Sequence, residues 1–167
     1  MLCLFSKQKR ISPKKLVNKS RKNLMEGEFM ETVEKFKVGI FETDFAGVVF
    51  YGSFFIYFDI GRCAFMRKIG HSFTDLLKKG VDTMVVAAHC DYKAPLHFEE
   101  DVEVHTKIGK LGNTSIRFDY EVYRIEDNGE KTLAAVGYTV HVFVNEDKKP
   151  TPPPDWLRKD LEAAMKK

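Results

Sequence analysis

The feature that most restricts the fold is a single apolar helical face set among strands. Phe54, Phe58, Gly61, Phe65 and Ile69 recur at three- and four-residue spacing, which lines one side of an α-helix. Arg62, Arg67 and Lys68 fall mostly away from that line. Ser53 reads as the N-cap, and a helix running to about Ile69 would be about 25 Å long at ~1.5 Å per residue. Such a helix can cross a sheet, and a face this rich in phenylalanine must be buried against one.

The flanking segments supply the sheet. Residues 33–41 alternate Phe36, Val38 and Ile40 with Lys35 and Lys37, a strand pattern. Past the helix, Ser72 and Asp75 read as a capping box that opens a short helix ending at Gly80. Four strands are then expected, at residues 83–92, 101–108, 116–122 and 132–144. Val102, Val104, Thr106 and Ile108 share one face of the second of these, and Tyr138, Val140, Val142 and Val144 alternate along the last. Asn128-Gly129 reads as a tight hairpin turn, since both residues tolerate positive φ. The proline-rich stretch before Trp156 ends the sheet, because proline has no ladder donor, and residues 156–165 form a terminal helix. The fold class is α+β, an antiparallel sheet wrapped around one long central helix.

Length and charge fit one domain with an appendage. The chain has 167 residues, 44% of them hydrophobic and 14 of them Phe, ample for one core. Residues 1–24 hold eight Lys and Arg and no acid, leaving 19 of the 27 basic residues to face 24 acidic ones elsewhere. Residues 1–31 therefore read as a basic arm and residues 32–167 as a single domain. The arm is open to three readings: a tail, an upstream start with true initiation at Met25 or Met30, or an organelle transit peptide. A mildly acidic domain is no nucleic-acid-binding body. No run reaches the ~18 apolar residues of a membrane span. Cys3, Cys63 and Cys90 are odd in number and widely spaced, so no disulfide framework is expected and a reducing, cytoplasmic setting fits.

Chemistry is concentrated in the loop before the long helix, residues 42–52, which is unusually apolar for a loop and carries Asp44. The first turn of a helix has backbone N–H groups without intrahelical partners and carries the positive end of the dipole. Such a terminus can polarise a carbonyl and hold the oxyanion formed when it is attacked. Asp44 beside it could attack that carbonyl or activate a water. The alternative is that Asp44 is a turn residue bonding its own backbone. On spacing alone both stand.

The run Asp44-Phe45-Ala46-Gly47-Val48-Val49-Phe50-Tyr51 closely resembles the active-site loop of the 4-hydroxybenzoyl-CoA thioesterase family, which includes the Tol-Pal-associated acyl-CoA thioesterases. The likeness extends over residues 34–150. It implies a hotdog fold, an acyl- or aroyl-coenzyme A thioesterase that needs no cofactor, and assembly as a homodimer or homotetramer with the site between subunits. By the resemblance, Asp44 is the catalytic carboxylate, the Tyr51 amide polarises the thioester carbonyl, and Gly47, Phe50, Asp59 and Thr83 contact substrate. Tyr51 stands where many Tol-Pal-associated members have His, and Phe45 where a small residue or Pro is usual. Lys107, Lys110, Arg117 and Lys148 are candidates for the coenzyme A phosphates.

Two other functions compete: a hotdog dehydratase, which needs a catalytic His that the loop lacks, and an acyl-coenzyme A binding protein without turnover. His89, Cys90, Asp91, His97 and His105 invite a metal reading, but His89 and Cys90 are neighbours on a strand and face opposite ways, and the His97–His105 spacing matches no zinc pattern.

Overall fold

The computed structural model describes residues 30–166; the expectations for the basic arm lie outside them. The elements run β1 (Thr32–Lys37), a 3₁₀ turn (Ile40–Glu42), α1 (Ser53–Lys68), α2 (Phe73–Lys78), β2 (Asp82–Tyr92), β3 (Asp101–Leu111), β4 (Ser115–Ile125), β5 (Lys131–Val144) and α3 (Asp155–Ala164). The five strands form one antiparallel sheet in the order β1-β3-β4-β5-β2. Helix α1 packs along its inner face against β1, β3, β4 and β5. This is the expected sheet wrapped around one helix.

The phenylalanine face of α1 explains the wrapping. Phe54, Phe58 and Phe65 are buried, with Phe58 stacked on Tyr120 of β4 at 4.5 Å between ring centroids and Phe65 edge-on to Phe118 at 5.8 Å. Each buried ring contributes about 1.5–3 kcal/mol by leaving water. Gly61 allows the helix to come close to β3, because a Cβ there would overlap the Thr106 hydroxyl. Helix α3, opened after three consecutive prolines, buries Leu157, Leu161 and Ala164. It is tied to the α1–α2 connection by a His71–Asp160 contact of 2.8 Å.

Local expectations fail where distant partners intervene. The first strand stops at Lys37 and Ile40 is exposed, because the Gly39 N–H is captured by the Glu42 carboxylate at 2.7 Å and the chain turns there. Ser53 is not the cap: Gly52 occupies that position, and Ser53 is the first helical residue, its hydroxyl donating to the Glu42 carbonyl at 3.1 Å. The Asn128-Gly129 turn forms, but only Gly129 has positive φ (82°); Asn128 instead accepts from the Glu130 N–H with its side chain. Arg62 turns inward, ion-paired to Asp59 with its guanidinium 4.3 Å from the Phe73 ring centroid. Ser72, by contrast, caps α2 as expected, accepting from the Asp75 N–H at 3.1 Å.

Candidate active site

The loop from Gly39 to Gly52 is built twice over from its own backbone. Thr43 and Val49 form one antiparallel bridge, and Val48 forms another with His97. Within that hairpin Asp44 N–H donates to the Val48 carbonyl at 2.8 Å, and Gly47 N–H returns to the Asp44 carbonyl at 3.0 Å. Gly47 takes φ +78°, a conformation glycine reaches without a Cβ penalty. Val49 N–H donates to the Leu96 carbonyl at 2.8 Å, which anchors the hairpin to the β2–β3 connection.

At the tip Asp44 is exposed, and one of its carboxylate oxygens accepts from the Ala46 N–H at 2.8 Å. That bond is the geometry of a turn residue bonding its own backbone. It occupies one oxygen and leaves the other without a partner among the described residues. Phe45 beside it is fully exposed, and Ile40, Phe41, Phe50 and Tyr51 are exposed as well. The loop thus presents a carboxylate on an apolar apron.

The other half of the arrangement is the start of α1. Among the described residues the Tyr51 and Gly52 N–H groups donate to no partner. The first turn of α1 holds no acidic residue, so nothing there offsets the positive end of its dipole. The Tyr51 carbonyl is held by the Tyr92 hydroxyl at 3.0 Å, and the Tyr92 ring packs edge-on to Phe54 at 5.2 Å. Burial raises the Tyr92 hydroxyl above its ordinary phenol value, so it stays a donor. Phe50 packs against Tyr51 with ring centroids 4.3 Å apart.

Asp59 and Thr83 are not brought to this loop within one chain. Asp59 lies eight residues along α1 from Tyr51, about 12 Å at 1.5 Å per residue, and pairs with Arg62. Thr83 sits at the far end of β2 from Tyr92, about 30 Å away at ~3.3 Å per residue. It lines a cavity of about 10 Å³ together with Arg62, Met66, Phe73 and His141. His141, 2% exposed, has its pKa lowered to about 4 by burial and by Arg62, so it is neutral at physiological pH. Of the proposed phosphate cations, Lys148 is tied to Asp82 at 2.6 Å and Arg117 to Asp119 at 2.6 Å. Lys107 and Arg117 line a groove on the outer face of the sheet.

The weighed cysteine and histidine chemistry finds little support. His89 stacks on Tyr138 on the outer face, whereas Cys90 packs against the core, as their adjacency required. Burial raises the Cys90 and Cys63 thiols above their ordinary pKa, the wrong direction for a nucleophile. Sequence reasoning missed Glu42, Tyr57 and Tyr92, which hold the loop. The one available signal was a second acid, Glu42, in an otherwise apolar segment.

A five-stranded antiparallel sheet curled around one long helix, with an acid-bearing hairpin leading into that helix, is the architecture of a hotdog fold. The thioesterase-like superfamily model matches residues 38–161. Bacillus subtilis YneP, named as a candidate acyl-CoA thioesterase, is 31% identical over 106 residues, covering 64% of this chain and 74% of its own. A Staphylococcus aureus DHNA-CoA thioesterase superposes with a TM-score of 0.71 at 27% identity, covering 80% of this chain and 87% of its own. The gentisyl-coenzyme A thioesterase BH1999 superposes at 0.67 with 28% identity, covering 76% and 99%. The chain belongs to the thioesterase-like superfamily and is a thioester hydrolase by class. Among the described residues no helix is long and apolar enough to cross a membrane.

Proposed function

We propose that this protein hydrolyses acyl- or aroyl-coenzyme A thioesters, with Asp44 as the reactive carboxylate and the Tyr51 amide polarising the carbonyl. What supports the reading is the exposed Asp44 carboxylate in the hairpin that leads into α1, together with a Tyr51 N–H that donates to no partner among the described residues. The thioester oxygen accepts from that N–H, and charge developing on it is stabilised by the helix end. Asp44 acts on the carbonyl carbon directly or through a water, coenzyme A leaves as the thiol, and water supplies the second oxygen of the product acid. The coenzyme A thioesters named for three relatives support the substrate class.

The same reading includes a second copy of the chain. Strand β2 is an edge strand with Met84, Val85 and Val86 exposed, so its unpaired N–H and C=O groups suit antiparallel pairing with another β2. Two-fold pairing would bring the start of one β2 beside the end of the other. Thr83 of the partner subunit would then stand near Tyr92 and the Tyr51 peptide that Tyr92 holds. Asp59 and Thr83 become substrate contacts only in such a pair, and the bare apron around Asp44 gains a wall.

A free-thiol assay over aromatic, short-chain and long-chain coenzyme A esters tests the proposal. The wild type should turn over at least one class. Asp44→Ala should fold normally and lose at least about a hundredfold in kcat. Near-wild-type turnover by Asp44→Ala excludes the mechanism, and binding of every ester without thiol release leaves the non-catalytic alternative.

A further inference from the structure

We infer that Glu42 is a positioning residue of this site, its buried side chain setting the geometry between Asp44 and the Tyr51 amide; this rests on the roles proposed above for those two groups. Glu42 is only 8% exposed. One of its carboxylate oxygens accepts both from the Gly39 N–H at 2.7 Å and from the Tyr57 hydroxyl at 3.1 Å. Tyr57 is 0% exposed and lies on the second turn of α1. The Glu42 peptide is used as fully as the side chain. Its carbonyl accepts from the Phe50 N–H at 2.8 Å and from the Ser53 hydroxyl at 3.1 Å, and its N–H donates to the Gly39 carbonyl at 3.0 Å.

These bonds converge on both reacting groups. Glu42 stands two residues before Asp44, and its carbonyl binds the residue immediately before Tyr51. One residue therefore fastens both ends of the loop to each other and to the helix whose dipole the chemistry uses. Burying a carboxylate is costly, and an apolar side chain would fill the same space without that cost. A role in geometry accounts for the polar side chain. Burial and the neighbouring Glu42 carboxylate hold the Tyr57 hydroxyl well above the usual phenol range, so it remains a donor across the working pH. The loop is then rigid where catalysis needs it, while the Asp44 side chain stays open to substrate.

The test compares full-length Glu42→Leu, Tyr57→Phe and Asp44→Asn. The readouts are thiol release from the ester that the wild type turns over fastest, and thermal melts. Glu42→Leu leaves no acceptor for the Gly39 N–H and the Tyr57 hydroxyl. It and Tyr57→Phe should fold, keep KM within about twofold and lose about 10- to 100-fold in kcat, the scale of a misplacement near 1 Å. A raised KM with unchanged kcat in both would overturn the inference, because the side chain would then serve binding alone. Full kcat in folded Glu42→Leu and Tyr57→Phe, with Asp44→Asn inactive, overturns it alone. An active Asp44→Asn overturns it together with the function proposed for Asp44. Should Glu42→Leu fail to fold, Tyr57→Phe decides by the same kcat and KM criteria.

Discussion

The two edges of the sheet are finished in opposite ways. Strand β1 is six residues long and carries Lys35 and Lys37, which reach Glu103 at 2.5 Å and Asp101 at 2.8 Å on its neighbour. Short length and lysines are how proteins keep an edge from recruiting another strand. Strand β2 is eleven residues long and exposes Met84, Val85 and Val86 at 48%, 58% and 60%. It carries none of the same protection across its middle, although a bulge interrupts its register between Val85 and Ala87. The difference assigns separate tasks: β1 closes the sheet, and β2 leaves it open beside the loop that bears Asp44.

The largest effect should come from closing the open edge. Val86→Lys adds to β2 the kind of charge that β1 already has. It should shift the protein to monomer in sedimentation analysis and lower thiol release by about 100-fold or more, with the melt retained. A monomeric Val86→Lys with full activity would refute the claim that the site needs a second copy.

A smaller effect is expected where β2 meets the loop. Tyr92→Phe removes only the hydroxyl that donates to the Tyr51 carbonyl. A hydrogen bond of this kind is worth about 0.5–1.5 kcal/mol, so kcat should fall about 2- to 12-fold without a change in oligomeric state. Unchanged kinetics would show that the strand and the loop are not coupled through this contact.

The smallest effect belongs to the closed edge and should appear in stability alone. Glu103 of β3 is 5% exposed and is bridged by Lys131 at 2.6 Å, Lys35 at 2.5 Å and His105 at 3.1 Å. Lys131 first, and Lys35 next, hold its carboxyl down at about 2. The folded pKa lies below the unfolded value of roughly 4.3, so its contribution is complete above that pH and is lost as pH falls towards about 2. Glu103→Gln should cost about 1 kcal/mol near neutrality, since its lysine partners are largely in water. The gap in Tm from wild type should shrink between about pH 4.3 and pH 2. A gap that persists at the acid end would assign the loss to packing instead of charge.

Much of this architecture was legible in the residue pattern. The helix face from Phe54 to Phe65, the alternation along β3 to β5 and the Ser72–Asp75 cap all follow from neighbours two to four positions apart. Asp44 stands out because an acid in an apolar loop before a helix is locally unusual, and the likeness of its segment to a thioesterase loop gives it a chemical meaning. Glu42, two residues earlier, looked the same in composition, yet its partner Tyr57 lies fifteen positions away. Ser53 had the residue type of a cap, but the carbonyl of Glu42 claimed its hydroxyl. Arg62 falls away from the helix's apolar line in sequence, and Phe73 and Asp59 draw it inward.

Periodicity and residue chemistry, read along the chain, determined an α+β fold, a long buried helix and the acid-bearing segment that leads into its start. Those properties depend on backbone geometry repeated every two or 3.6 residues, so they are written locally. The tertiary structure alone decided that β2 crosses to the far side of β5 and becomes the open edge. It alone decided that Gly61 lies against Thr106 and that Tyr92 reaches the Tyr51 carbonyl. Each of these is a meeting of residues more than forty positions apart, fixed by which surfaces can be buried together and which polar groups would otherwise lack a partner.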